Sequence, residues 1–117
     1  MKTGAQILEE TRARIREIDT KQALDLHGRG EAIFLDVRDQ PEVNLGKIPG
    51  ATHISRGNLE SKIEAVLPRD REVVIYCANG NRSVLAAATL EQMGYGNVCS
   101  LAGGFRVWAE QGGEIDG

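Results

Sequence analysis

From Ile18 onward, short apolar runs alternate with amphipathic stretches, the pattern that a parallel sheet with crossover helices leaves in a sequence. Ahead of it, Ile7, Leu8, Thr11, Ile15 and Ile18 fall near one helical face, with Glu9, Glu10, Arg12, Arg14, Arg16 and Glu17 elsewhere. This spacing predicts an amphipathic helix over 5–18 whose apolar stripe packs on the molecule's own core. A dimer or partner surface is the alternative. The chain thus divides into an N-terminal helical extension, residues 1–17, and a single domain, residues 18–117.

Within the domain, Thr20 is a plausible N-cap for a helix over 21–27, and Gly28 and Gly30 stop it. Residues 32–37 read as a buried strand, because their apolar side chains do not alternate with polar ones. Pro41, Gly46, Pro49 and Gly50 predict a turn-rich connection, followed by a short strand over 51–54. A helix over 59–67 ends before Pro68, and a buried strand over 72–76 delivers Cys77 at its carboxyl end. After a glycine-containing loop come an Ala-rich helix over 83–93, a strand over 97–101 and a terminal helix over 105–111. The pattern implies five strands, all short.

The longest apolar runs fall well short of the roughly 18 residues of a membrane span. The start of the chain has no signal-peptide character, which makes the cytoplasm the expected location. A formal net charge of −3 and the absence of a basic run argue against nucleic acid as a partner. Two cysteines, Cys77 and Cys99, are too few for a disulfide framework or a cysteine-based zinc site, so no metal or cofactor is expected. The question they raise is reactivity.

Cys77, Ala78, Asn79, Gly80, Asn81, Arg82 and Ser83 form a strand end, a tight loop and a helix start. Successive main-chain N–H groups in such a loop can turn inward as an anion-binding nest, and the following helix adds its positive end at the same place. Both favour an ionised thiol, and Arg82 adds a positive charge nearby. Gly80 supplies the freedom of backbone conformation that the tight loop needs. Cys99, inside an apolar strand, is expected to be buried and inert, with a resolving partnership to Cys77 as the alternative. Trp108 reads as a core anchor, and His27 as a helix-end residue placed against the dipole.

The segment CANGNRS, residues 77–83, resembles the CxxGxRS active-site loop of the rhodanese family. Three more segments resemble family motifs in the same order: LDVR at 35–38 the "DVR" strand end, GKIPGA at 46–51 the "GHIPGA" turn, and LAGGFRVW at 101–108 the "LxGGxxxW" closing segment. Together they cover roughly Ile18 to Gly113. The resemblance implies a three-layer α/β/α domain with a central five-stranded parallel sheet, the Cys77 strand lying centrally beside that of Asp36. It further implies a sulfurtransferase in which Cys77 takes sulfane sulfur from thiosulfate or a persulfide and passes it to a thiol or cyanide. Loop residues Ala78 to Ser83 would bind the substrate, while Asp36 and Arg38 would support the loop or form a local ion pair. Lys47 stands where the family usually has histidine, and His53 does not occupy that motif position, so no general base is assigned.

Two other readings compete. Cell-cycle and tyrosine phosphatases also place a cysteine on a strand, loop and helix before an arginine, but they use C-x5-R, whereas four residues separate Cys77 from Arg82. The smaller ring suits a sulfur atom better than the tetrahedral phosphate or arsenate that a phosphatase or arsenate reductase would bind. A noncatalytic or redox-sensing module is the other class, since an exposed thiolate is also what peroxide attacks. Arg82 alone offers little positive charge for a dianion, so a protein or small organic persulfide is as credible a donor as thiosulfate.

Overall fold

Neighbouring side chains on each central strand enter opposite cores, and this two-sided burial explains why the apolar runs do not alternate. Leu35, Val37, Val73, Ile75 and Cys77 belong to one buried cluster, while Phe34, Val74, Tyr76, Cys99 and Leu101 belong to the other. The computed structural model describes residues 1–117. Its elements are α1 (Gly4–Arg14), β1 (Glu17–Ile18), α2 (Thr20–Arg29), β2 (Ile33–Asp36), α3 (Gln40–Asn44), β3 (Thr52–His53), α4 (Leu59–Val66), β4 (Val73–Tyr76), α5 (Asn81–Gln92), β5 (Val98–Leu101) and α6 (Gly104–Glu110). A 3-10 turn, Arg56–Asn58, leads into α4.

The strands pair in the order β1-β5-β4-β2-β3, every pair parallel. This is the α/β architecture expected of the sequence, with five parallel strands between helices and β4 next to β2. Ile15, Ile63, Val84 and Leu90 fill one face of the sheet; Ala23 of α2 and Trp108 of α6 fill the other. Because β4 is central and turns from one neighbour to the other, its carboxyl end opens where ligands collect in sheets of this type.

The helix expected over 5–18 stops at Arg14, and Ile15 is extended at φ −99° and ψ 141°. The reason lies in packing. Ile15 and Ile18 would share a helical face, yet Ile15 joins the cluster with α5, while Ile18 enters the opposite cluster from β1, paired with Leu101. Leu8 and Thr11 turn inward as the stripe predicts, but Ile7 stays exposed. β1 is the fifth strand, which the pattern implied without locating.

Three local expectations also fail. Asp19, not Thr20, caps α2: its carboxylate accepts the Gln22 N–H at 2.8 Å while the Gln22 side chain accepts the Asp19 N–H at 2.9 Å. Gly28 lies within that helix, which ends at Gly30 in the left-handed conformation. The connection after β2 is not all turn, since α3 begins at Gln40 and holds Pro41 in its first turn. Proline is tolerated there because its missing N–H would have no intrahelical acceptor. Asp39-x-x-Glu42 is the capping-box pattern that marks this start, and the Asp39 N–H donates to Glu42 Oε1 at 3.0 Å.

Candidate active site

β4 ends at Tyr76, and the next residue, Cys77, points to the face covered by α5. From there the chain turns through Gly80, at φ +97°, into the first turn of α5. A Cβ at Gly80 would lie 3.2 Å from Gly103 N and 3.4 Å from the Leu101 carbonyl oxygen, so both the backbone conformation and the close approach call for glycine. The result is a cup around the sulfur. Gly80 N–H donates to Cys77 Sγ at 3.1 Å, and Ser83 N–H donates to it at 3.4 Å. The thiol itself donates to Ser83 Oγ at 3.5 Å.

Not every loop amide serves the sulfur. Asn81 N–H donates instead to Asn79 Oδ1 at 3.2 Å. The N–H groups of Ala78, Asn79 and Arg82 make no hydrogen bond within the protein. Behind the cup, Ser83 Oγ and Ser100 Oγ are 2.7 Å apart, both residues buried. Ser100, on β5, was not singled out by the sequence, where it is one polar residue in an apolar run; a buried hydroxyl in such a run needs a partner, and that need is the available signal.

The loop is braced from the C-terminal side. Cys77 O accepts the Phe105 N–H at 2.8 Å, and Ala78 O accepts the Arg106 N–H at 3.1 Å. Gly104 permits this contact, since a Cβ there would meet Cys77 O at 2.5 Å.

Arg82 does not turn its charge freely toward the sulfur. Its two terminal nitrogens each donate to a Glu42 carboxylate oxygen at 2.9 Å, and Asp39 Oδ2 lies 3.8 Å from Nη1. The fork holds the Glu42 carboxyl down to about 2, first through the hydrogen bonds from Arg82, and Glu42 in turn raises Arg82 above its ordinary value. Arg12 of α1 reaches the loop from the other side: it pairs with Glu17, and its Nη2 donates to Asn81 Oδ1 at 2.8 Å. Glu42 and Arg12 are site residues that the sequence reading missed. The capping-box spacing could have placed Glu42; nothing local marks Arg12, which is 69 residues from its partner.

Asp36 and Arg38 form their own unit. Asp36 Oδ1 accepts Arg38 N and Nε, both at 3.0 Å, and Oδ2 accepts Arg38 Nη2 at 2.8 Å. Arg38 Nη2 also reaches the Gly46 carbonyl oxygen at 2.7 Å, and the guanidinium carbon stands 4.3 Å from the Phe105 ring centre. The Asp36 carboxylate makes no hydrogen bond to the cysteine loop. The geometry is that of a buried ion pair at the end of β2, whose guanidinium packs on Phe105 and on the ring of Tyr76, the residue before Cys77.

His53 is engaged by the Arg38 carbonyl oxygen at 2.7 Å, and His27 by the Pro49 carbonyl oxygen at 2.9 Å. Lys47 joins Asp116 through two main-chain hydrogen bonds. Trp108 is fully buried and donates from Nε1 to Glu114 O at 2.8 Å. Cys99 is buried in the cluster opposite that of Cys77, and burial pushes its thiol up to about 11. Facing the other layer, it does not meet Cys77 across the sheet, and both cysteines are free.

Cys77 itself has 0 % exposed surface. Neither surface cavity, one lined by His27 and Phe34 and the other by His53 and Lys62, includes a loop residue. The sulfur is thus covered in this structure, for a peroxide and for a sulfur donor alike.

Fold and site together define a class: an α/β domain that holds one cysteine at the end of its central strand, in a cup of main-chain amides. The rhodanese-like domain pattern matches residues 19–111. A sulfurtransferase of Allochromatium vinosum is 36% identical over 99 residues, which is 84% of this chain and 92% of that one. The thiosulfate sulfurtransferase GlpE of Pseudomonas fluorescens SBW25 is 39% identical over 93 residues, covering 80% of this chain and 84% of its own. Among solved structures, a protein of unknown function from Rhodopseudomonas palustris, titled a possible tyrosine phosphatase, superposes with a TM-score of 0.90 at 36% identity, covering 99% of this chain and 96% of that one. The chain belongs to the rhodanese-like family and is a sulfurtransferase-like enzyme of that family. No helix is long and apolar enough to cross a membrane.

Proposed function

We propose that Cys77 carries sulfur as a persulfide, accepting a sulfane sulfur from thiosulfate or another persulfide and passing it to a thiol or cyanide. The observation that carries this reading is the pair of main-chain N–H groups, from Gly80 and Ser83, aimed at Cys77 Sγ. Fixed dipoles of this kind stabilise negative charge on sulfur without needing to reorganise during the reaction. The unpartnered amides of Ala78, Asn79 and Arg82 are further donors that a second sulfur atom can use.

In the first half-reaction the Cys77 thiolate attacks the outer sulfur of the donor. A new S–S bond forms, the donor's own S–S bond breaks, and its remainder leaves with the bonding pair: sulfite from thiosulfate, a thiolate from an organic persulfide. In the second, cyanide or a thiolate attacks the outer sulfur of the Cys77 persulfide and the Cys77 thiolate departs. An ionised nucleophile needs no separate base, in keeping with a loop that contains none. A reducing compartment such as the cytoplasm keeps such a thiol unoxidised, and we place the reaction there.

Intact-mass measurement tests the reading. The wild type gains one sulfur atom on incubation with thiosulfate or a small persulfide and loses it to cyanide, and Cys77→Ser gains none. No gain with either donor, or full turnover by Cys77→Ser, overturns it. Hydrolysis of a chromogenic phosphate ester that depends on Cys77 would favour a phosphatase instead. With Arg82 already bound to Glu42 and only four residues in the ring, none is expected.

A further inference from the structure

The arginines around the Cys77 loop are all committed to carboxylates. Arg82 forks onto Glu42 and has Asp39 at 3.8 Å; Arg12 pairs with Glu17; Arg106, whose amide holds Ala78 O, donates to Glu110 Oε1 at 2.7 Å. Three arginines in or bonded to the loop thus carry four carboxylate partners. Glu42 matters most, because it occupies both terminal nitrogens of the one arginine that belongs to the loop itself. A bidentate carboxylate saturates the face of a guanidinium that would otherwise bind a tetrahedral anion in the same way.

We infer that Glu42 is a specificity-determining residue that turns the site away from dianionic sulfur donors and toward persulfides of low charge, borne on a small organic thiol or on a protein cysteine. The inference rests on the persulfide reading above and narrows its donor. Thiosulfate carries two negative charges, and to contact Arg82 it must either displace Glu42 or sit against it. A hydropersulfide R–S–SH meets neither obstacle, since it needs only the loop amides: Cys77 thiolate takes the outer sulfur with its proton, and R–S⁻ leaves. The Glu42 carboxyl, held down to about 2 by the Arg82 hydrogen bonds, is ionised at neutral pH.

The experiment measures rate constants for loading of Cys77, by alkylation quench and intact mass, with thiosulfate and with the persulfide of 2-mercaptoethanol. These are compared in wild type, Glu42→Gln and Glu42→Asp. Glutamine keeps an oxygen acceptor for Arg82 and for the Asp39 amide while removing the charge, so the thiosulfate-to-persulfide rate ratio rises by about tenfold or more, the factor that corresponds to roughly one pKa unit of differential interaction. Aspartate keeps the charge and leaves the ratio near that of the wild type. A purely structural role for Glu42 would slow both donors alike and leave the ratio unmoved. Added salt speeds thiosulfate loading of the wild type by screening the carboxylates and has less effect on Glu42→Gln. A ratio within about twofold of wild type in Glu42→Gln, for a variant that still loads persulfide, overturns the inference while the sulfurtransferase reading stands. Absence of loading by either donor in the wild type overturns both.

Discussion

Ser83 joins two structures at once: its main-chain N–H faces Cys77 Sγ at 3.4 Å, and its hydroxyl lies 2.7 Å from that of Ser100 on the neighbouring strand. The start of α5 is thereby fixed to β5 directly behind the sulfur. Ser83→Ala strands the buried Ser100 hydroxyl and should cost about 1–3 kcal/mol in urea unfolding, whereas Ser100→Ala leaves Ser83 Oγ the Cys77 thiol as a partner and should cost less. The double variant should cost less than the sum of the two, because both polar groups are then gone.

Gly80 sits at φ +97° with Gly103 N and the Leu101 carbonyl oxygen close to where a side chain would begin. Gly80→Ala is expected to destabilise the fold by about 1–3 kcal/mol through backbone strain. It also displaces the amide nearest the sulfur, and loading of Cys77 should fall by roughly 10² or more, as when one oriented main-chain or side-chain donor is lost from a reacting anion. Mass-resolved loading kinetics together with a denaturation curve separate the two effects.

The buried Asp36–Arg38 pair is the strongest candidate for a costly single substitution. Asp36→Asn leaves the Arg38 guanidinium, only 5 % exposed, without its counter-charge, and should cost about 3–5 kcal/mol. The double variant Asp36→Asn with Arg38→Met should recover much of that loss, because no uncompensated charge remains. Chemical unfolding of the two variants checks the expectation, and failure of the double variant to recover would assign the cost to lost Arg38 packing on Phe105 instead.

Acid should loosen the loop before it unfolds the sheet. Glu42 has an ordinary value of 4.5 and is held at about 2 in the folded protein. A depressed carboxyl contributes stability that is fully present above its unfolded value and is lost as the pH falls through its folded one. The contribution of the Arg82–Glu42 fork is therefore intact at neutral pH and declines between about pH 5 and about pH 2. Thermal midpoints measured across that window should fall less steeply in Glu42→Gln than in the wild type.

Much of this arrangement is written locally. The run from Val73 to Ser83 shows a strand buried on both faces, a loop with one glycine and a helix start, and all three occur in that order. Cys99 sits in an apolar run and is buried. What stayed hidden depends on partners far along the chain. β1 exists because Glu17 and Ile18 find Ser100 and Leu101, and Glu42 gains its significance from an arginine 40 residues later. Pro41 made α3 look like a turn, since the residue that breaks a helix interior is also one that suits a helix start. The side chain of Asp36 shows the same limit: its place at a strand end is local, but whether it braces the loop or Arg38 depends on where a flexible guanidinium comes to rest.

The two main-chain bonds from Phe105 and Arg106 to the carbonyls of Cys77 and Ala78 clasp the loop to the last helix of the chain. A version shortened to end before Gly104 would keep every residue from Cys77 to Ser83 and still lose that clasp, so the motif is shorter than the structure that holds it in shape.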